Sequence, residues 1–403
     1  MDWKLRLLNS RFTTNFLKKS SEKYSDIGLF WASLTLLSSC FIVTDDKWLL
    51  MKYGSSGTGK TVSDKIAVDT FGEHQYTLPI SGRLSPAGLV KLMRKAETNE
   101  KSRLELEAFR NAKLIFVEDL SRSTTHYLKL TSLQFLAGLT QTTALDDLTS
   151  DGGTLGQNLG EEPKKVMVAG TPSDWEEISS TPAFTEFIDR RSLTTISLMS
   201  PEEWKARETI AMTSTNRKLD YQIILEWKDL INSLDITPYL GPMRNRTFGP
   251  HRIGLYKKLS EFKRFPENVL SMIDSLAEGH ARLNRRNSVL PEDYEAIDKL
   301  FSRFLVLADM KKKELYIAEE IIRSEQCILT EEGLIYKLRR RSKKEDLPEF
   351  SEIKKTIYNY ATSSKYICKD IRACRGKQPG IVLSSYLKDI FTKWNEEIKE
   401  LVQ

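Results

Sequence analysis

"KYGSSGTGKT", residues 52–61, decides how this chain is read. Gly54, Gly59, Lys60 and Thr61 meet the Gly-x-x-x-x-Gly-Lys-Thr spacing of a phosphate-binding loop, a pattern that long chains also meet by chance. The flanks argue against chance. "WLLMKY" (48–53) is a short apolar run of the kind a buried parallel strand shows, and "FIV" (41–43) reads as a further strand across a turn at Asp45-Asp46. "KTVSDKIAVDTF" (60–71) reads as a helix with Val62, Ile66 and Val68 as apolar positions. Strand, glycine-rich loop and helix in that order are the context that confirms the motif. Backbone N–H groups of Gly54, Ser55, Ser56, Gly57, Thr58 and Gly59 would face the phosphates of ATP. Lys60 would reach the β- and γ-phosphates, and Thr61 would ligate Mg²⁺.

Working outward, the next requirement is an acidic residue at the end of a second buried strand. "AKLIFVEDLSRS" (112–123) supplies it, since Leu114–Val117 runs into Glu118 and Asp119, which can serve Mg²⁺ and orient an attacking water. A third strand, within "KKVMVAGTPSDW" (164–175), ends at Thr171, whose hydroxyl can hydrogen-bond the γ-phosphate or the lytic water. "FTEFIDRRSLTTISLM" (184–199) then sets Arg190 and Arg191 before another β-like run. Either arginine can reach a nucleotide held by a neighbouring subunit or form an ordinary surface ion pair.

The order of these parts resembles the AAA+ ATPase superfamily, with "GSSGTGKT" similar to Walker A, "LIFVED" to Walker B and "VMVAGTP" to the sensor-1 strand. "FIDRR" stands where that superfamily keeps its arginine finger. "KRFPENVLSMIDSLAEGHARLNRRNSVLPEDYEAIDKLF" (263–301) resembles the sensor-2 lid of the MCM, magnesium-chelatase and MoxR branch, which implies Arg264 as the sensor-2 arginine. That branch carries a pore-facing hairpin before sensor 1; the glycine-rich segment 143–165 can form one, or an ordinary exposed loop. Two departures stand out. The Walker B acids read Glu-Asp where the family has Asp-Glu, so the shorter Asp119 would activate water and slow the reaction. Sensor 1 is Thr171 where helicase members carry Asn. Only about forty residues precede the core, so no N-terminal DNA-binding domain of MCM type is expected.

Independently of ancestry, Val269, Ile273, Leu276, His280 and Leu283 share one face of an amphipathic helix over 267–284, with His280 expected as a packed core residue. Beyond it, 314–325, 329–342 and 350–364 read as three helices, the second opened by Thr330, followed by strands at 365–371 and 380–387 and a final helix from about 386 to 402. Three helices and a basic hairpin resemble a winged helix, in which the third helix can enter a DNA major groove and the wing can touch the backbone. Lys354 and Lys355 lie on the polar face of that third helix, and Arg372, Arg375 and Lys377 would be wing contacts. Arg339, Arg340 and Arg341 form a second basic cluster, readable as a nucleic-acid face or as a solvated one. Some winged helices bind proteins instead.

The charge agrees with this division. The chain of 403 residues carries a net +6, and residues 311–403 hold 20 Lys/Arg against 15 Asp/Glu, a basic excess that favours a polyanionic partner. Cys40, Cys327, Cys368 and Cys374 lack zinc spacing and read as free thiols of a reducing, cytoplasmic compartment. "MDWKLRLLNSRF" has no signal-peptide layout. The uncharged stretch 27–44 is just long enough to span a membrane, but its serines, threonine and glycine favour a buried helix running into a core strand.

The expected architecture is therefore α/β. It has an N-terminal helical segment (1–40), a P-loop core of parallel sheet with helices on both faces (41–200), a helical lid (201–310) and a winged-helix-like domain (311–403). The expected activity is hydrolysis of ATP·Mg²⁺ by a ring or filament, hexameric by family resemblance, acting on DNA as a helicase-like motor or an ATP-dependent loader or switch. A MoxR-like protein remodeller whose winged helix binds protein is the alternative, and a scaffold that barely hydrolyses is a third.

Overall fold

The computed structural model describes residues 35, 39, 47–55, 75–77, 86–117, 120, 126–143, 158–179, 181, 192–213, 249–260, 266–284, 289–307, 310–324, 326–345, 350–375 and 378–402. They form two compact units, one dominated by residues 28–197 and 218–308 and the other by 198–217 and 309–403.

The first unit is built on a parallel sheet of β1 (Leu49–Gly54), β2 (Gln75–Thr77), β3 (Leu114–Val117), β4 (Lys165–Gly170) and β5 (Ser192–Ser197), in the order β2-β3-β4-β1-β5. Each of β1, β3, β4 and β5 is buried along its whole length, which explains the largely apolar runs of β1, β3 and β4, while β5 buries four hydroxyl side chains beside Leu193 and Ile196. Helices cover both faces. Leu49, Met51, Tyr53, Val166 and Val168 join a core that includes Leu92 and Met93 of α1 (Pro86–Ala96) and Leu106 and Phe109 of α2 (Glu100–Asn111). Leu133 and Leu136 of α3 (His126–Gly138) complete that face.

Side chains alternate along a strand, so Lys165 leaves the opposite face of β4. It is fully buried and donates to the Ser39 carbonyl (2.9 Å), Ser39 Oγ (2.7 Å) and Ser275 Oγ (2.6 Å), with the Trp48 ring 5.5 Å away. After α4 (Pro172–Ser179), the unit is completed by α6 (Gly249–Ser260), α7 (Pro266–Leu283) and α8 (Pro291–Val306).

The helix expected at 267–284 is present as α7, but it is buried on all sides from Met272 to Ala281 and not on one face only. Its polar positions are paired inside the protein. Asp274 takes a bidentate contact from Arg252 (2.8 and 2.7 Å) and a hydrogen bond from the Tyr294 hydroxyl (2.9 Å). His280 is a core residue, as expected, with Nδ1 2.7 Å from Asp293 Oδ1. Gly279 lets the helical residues Thr35 and Ser39 approach closely; a Cβ there would stand 2.5 Å from the Thr35 carbonyl oxygen. Thr35 and Ser39, from the uncharged stretch 27–44, are thus buried against protein. Among the described residues no helix is long and apolar enough to cross a membrane.

The second unit has α9 (Lys312–Ile322), β6 (Ile328–Thr330), α10 (Glu331–Glu345), α11 (Phe350–Ser363), β7 (Ile367–Arg375), β8 (Gln378–Leu383) and α12 (Ser385–Val402). Its antiparallel sheet has the order β6-β8-β7. Helix, strand, two helices and a hairpin are the winged-helix arrangement. Thr330 ends β6 and caps α10, accepting from Gly333 N at 3.1 Å. The segment expected to open the lid, α5 (Pro201–Thr213), belongs to this unit instead. Buried Glu203 accepts from Trp394 Nε1 of α12 (2.9 Å), and Glu202 accepts from Asn395 Nδ2 (2.9 Å).

Candidate functional site

In an open parallel sheet, ligands bind beyond the carboxyl ends of adjacent strands whose connections leave in opposite directions. Here those strands are β1, which leads towards β2 at one edge, and β4, which leads to β5 on the other side. The motif of residues 52–61 begins at that end of β1, and Thr171 follows that end of β4. Tyr53 is paired with Gly170 in register, so Gly54 and Thr171 continue from neighbouring backbones at one crevice. β3 ends at Val117 on the same side, paired with Val168.

Three side chains organise this corner. The Tyr53 ring occupies the space a residue-170 side chain would need: a Cβ on Gly170 would stand 2.8 Å from Tyr53 Cε1 and 3.5 Å from Asp174 Oδ2. Thr171 is the N-cap of α4. Its backbone N–H donates to Asp174 Oδ2 (2.7 Å), and its Oγ1 accepts from Asp174 N (3.3 Å), the reciprocal pattern of a capping box. Thr171 Oγ1 also donates to Asp174 Oδ2 at 2.7 Å. Asp174 is fully buried, at the helix end where the backbone dipole favours negative charge. Burial, and then the charge of Asp174, push the Tyr53 phenol well above its ordinary pKa, so it stays protonated.

Of the residues expected at the nucleotide, Gly54 and Ser55 are buried at the end of β1, and Thr171 is half-buried at the end of β4. Ser56, Gly57, Thr58, Gly59, Lys60, Thr61, Glu118, Asp119, Arg190, Arg191 and Arg264 lie outside the described residues. Tyr53 and Asp174 were missed as members of the corner. The signal for Asp174 was present in "TPSD" (171–174), a Thr-x-x-Asp pattern that opens a helix.

A different feature occupies the opposite end of the sheet. A cavity of about 530 Å³ is lined by Arg110, Lys113, Asn158, Gly160, Glu162 and Lys164, none of them from the phosphate-loop motif. Lys164 Nζ donates to the carbonyls of Arg110 (2.8 Å) and Ala112 (2.7 Å), capping the end of α2. Burial lowers its pKa to about 8. Burial alone would raise the Glu162 carboxyl, but the hydrogen bond from Lys113 and the charges of Lys47 and Lys113 hold it below its ordinary value. Every cation of this knot therefore has a structural partner. The glycine-rich segment expected as a hairpin is closed at its base, where Leu159 N donates to the Thr143 carbonyl (2.8 Å); residues 144–157 lie outside the described ones.

On the winged helix, α11 buries Ile353, Ile357 and Ala361 and exposes Lys354, Lys355, Tyr358, Asn359 and Thr362. Tyr358 is 58% exposed, with Lys369 Nζ of β7 4.9 Å from its ring centre. Arg339 and Arg340 are exposed on α10. Arg341 lies in α10 and Arg372 and Arg375 in β7, while Lys377 is outside the described residues.

Neither a family model nor a curated protein sequence matches the chain. Among solved structures it is similar to a candidate ATPase from Cytophaga hutchinsonii, with 14% identity over 73% of this chain and 86% of that one and a TM-score of 0.37. A likeness at that level carries no argument, and the fold stands on strand order and register.

Proposed function

We propose that the chain is an ATPase of the AAA+ kind, nearest the MCM, magnesium-chelatase and MoxR branch. The observation that carries the reading is the pairing of Tyr53 with Gly170, which brings the start of the glycine-rich loop beside the polar tip of β4. A loop with that spacing, opening from a buried parallel strand at the crevice between β1 and β4, is suited to a nucleoside triphosphate.

In this reading the backbone of residues 54–59 cradles the phosphates and Lys60 neutralises the β- and γ-oxygens. Thr61, Glu118 and Asp119 hold Mg²⁺, which supplies charge neutralisation on the transferring phosphoryl group. Asp119 also orients the water, and its short side chain keeps turnover slow. Arg264 senses the γ-phosphate, and Arg190 or Arg191 completes the site of a neighbouring copy, which requires a ring or filament; a hexamer is the form the family resemblance favours.

The partner in this proposal is DNA, engaged through the winged helix. Support comes from the solvent face of α11, where Lys354, Lys355, Tyr358 and Asn359 are all exposed. Lysines give sequence-independent phosphate contacts, and Asn can pair with an adenine edge in the major groove. The test is phosphate release with no nucleic acid, single-stranded DNA and duplex, at rising salt. Stimulation that fades with salt supports a DNA motor or switch. A rate indifferent to both strands overturns the DNA role and redirects the winged helix to a protein partner, as in a MoxR-like remodeller.

A further inference from the structure

We infer that Asp174 is a positioning residue that makes Thr171 a hydrogen-bond acceptor for the attacking water and not a donor to the γ-phosphate, an inference that rests on the nucleotide-site reading above.

A capping box needs two bonds here, Asp174 N to Thr171 Oγ1 and Thr171 N to the Asp174 carboxylate. Both are present, at 3.3 and 2.7 Å. The third bond, Thr171 Oγ1 to Asp174 Oδ2 at 2.7 Å, is not part of that motif, and it decides where the hydroxyl proton lies. A hydroxyl has one proton and two lone pairs. The proton is taken by a fully buried carboxylate, and one lone pair is taken by a backbone N–H. What remains outward on this half-buried side chain is a single lone pair.

A lone pair repels a phosphate oxygen and attracts a water hydrogen. A water that donates one hydrogen to Thr171 keeps its own lone pair for attack, which is the orientation hydrolysis needs. The asparagine found at this position in helicase relatives carries both a donor and an acceptor, so the departure at Thr171 is a change of function at one atom. Asp174 is fully buried, so solvent does not compete for the hydroxyl at the carboxylate.

The experiment compares ATP and ADP affinities, by displacement of a fluorescent nucleotide, with steady-state turnover in wild type, Thr171→Val, Thr171→Ser and Asp174→Ala. Thr171→Val is expected to lower kcat by at least about tenfold while the ADP-to-ATP affinity ratio stays within about twofold. Thr171→Ser, which keeps the hydroxyl and the cap, is expected to lose less turnover than Thr171→Val. Asp174→Ala removes the oxygen that accepts from both Thr171 N and Thr171 Oγ1 and frees the hydroxyl proton to turn outward, so ATP should tighten relative to ADP while kcat falls. ADP affinity reports folding of each variant; if Thr171→Val does not fold, Asp174→Ala decides the matter, and an ADP-to-ATP affinity ratio unchanged there overturns the inference.

The inference is overturned if Thr171→Val weakens ATP relative to ADP by about fivefold or more, since the hydroxyl then donates to the γ-phosphate. Turnover unchanged in Thr171→Val overturns it as well. Wild-type protein that binds neither nucleotide overturns the nucleotide-site reading itself, and this inference with it.

Discussion

The ring of Tyr53 fills the place where residue 170 would carry a side chain, with Cε1 2.8 Å and Cδ1 3.0 Å from the position of the missing Cβ. One residue before the glycine-rich loop and one before Thr171 thus interlock, and each fixes the other's strand end. Gly170→Ala must displace a buried aromatic ring, so it is expected to cost about 1–3 kcal/mol in chemical denaturation. Loss of turnover beyond the loss of stability is expected too, because the added Cβ would also stand 3.5 Å from Asp174 Oδ2, the partner of Thr171. A variant as stable and active as wild type would contradict the contact.

Gly279 makes a similar demand in α7. A Cβ would meet the Thr35 carbonyl oxygen at 2.5 Å and Ser39 N at 2.9 Å, both backbone atoms of buried residues, which cannot swing aside as a side chain can. Gly279→Ala is expected to destabilise by more than about 2 kcal/mol, although alanine is the better helix former by about 1 kcal/mol. A melting temperature equal to or above wild type would show that helix propensity wins and that the close approach does not exist.

Lys164 predicts a pH dependence. Its folded pKa of about 8 lies below the ordinary lysine value of 10.5, so between those limits the unfolded chain binds the extra proton. Stability therefore rises with pH across that window and is flat below it. Relative to Lys164→Gln, which does not titrate, wild type is expected to gain about 2 kcal/mol between pH 7 and pH 10. Urea unfolding of both proteins across that range reads it, and a difference that stays constant or falls would contradict a buried amine at this site.

On α11, Lys354 and Lys355 extend from the face opposite Ile353 and Ile357. If they neutralise phosphates, replacing both with alanine should weaken duplex binding evenly across sequences and reduce the salt slope by about 2. Asn359→Ala should instead alter sequence preference and leave the slope unchanged. Unchanged affinity and slope in the lysine double variant would remove α11 from any DNA interface.

What the sequence made legible follows from burial. Strands β1, β3, β4 and β5 are covered on both faces, so "LLMKYG", "LIFV", "KVMVAG" and "SLTTIS" are conspicuous runs ending where a site belongs. Strand β2 was not legible. It has three residues at a sheet edge, and it is held by contacts made far along the chain: Tyr76 lies edge-on to Phe109 at 5.4 Å and bonds Glu105 at 3.0 Å. Strand β6 was hidden for a related reason, because Thr330 serves both as its last residue and as the cap that announces α10. At the site, glycines and acids carried local spacing signals. The roles of Tyr53 and Gly170 depend on a register between strands more than a hundred residues apart, which no local pattern encodes.

The central claim is that the loop opening from β1 binds a nucleoside triphosphate. Calorimetric titration of a slowly hydrolysed ATP analogue with Mg²⁺ into wild type and Lys60→Ala tests it most directly. The account predicts saturable binding by the wild type, weakened at least about tenfold by Lys60→Ala, with magnesium required for full affinity. Absence of binding in the wild type, or equal binding by the two proteins, would contradict it.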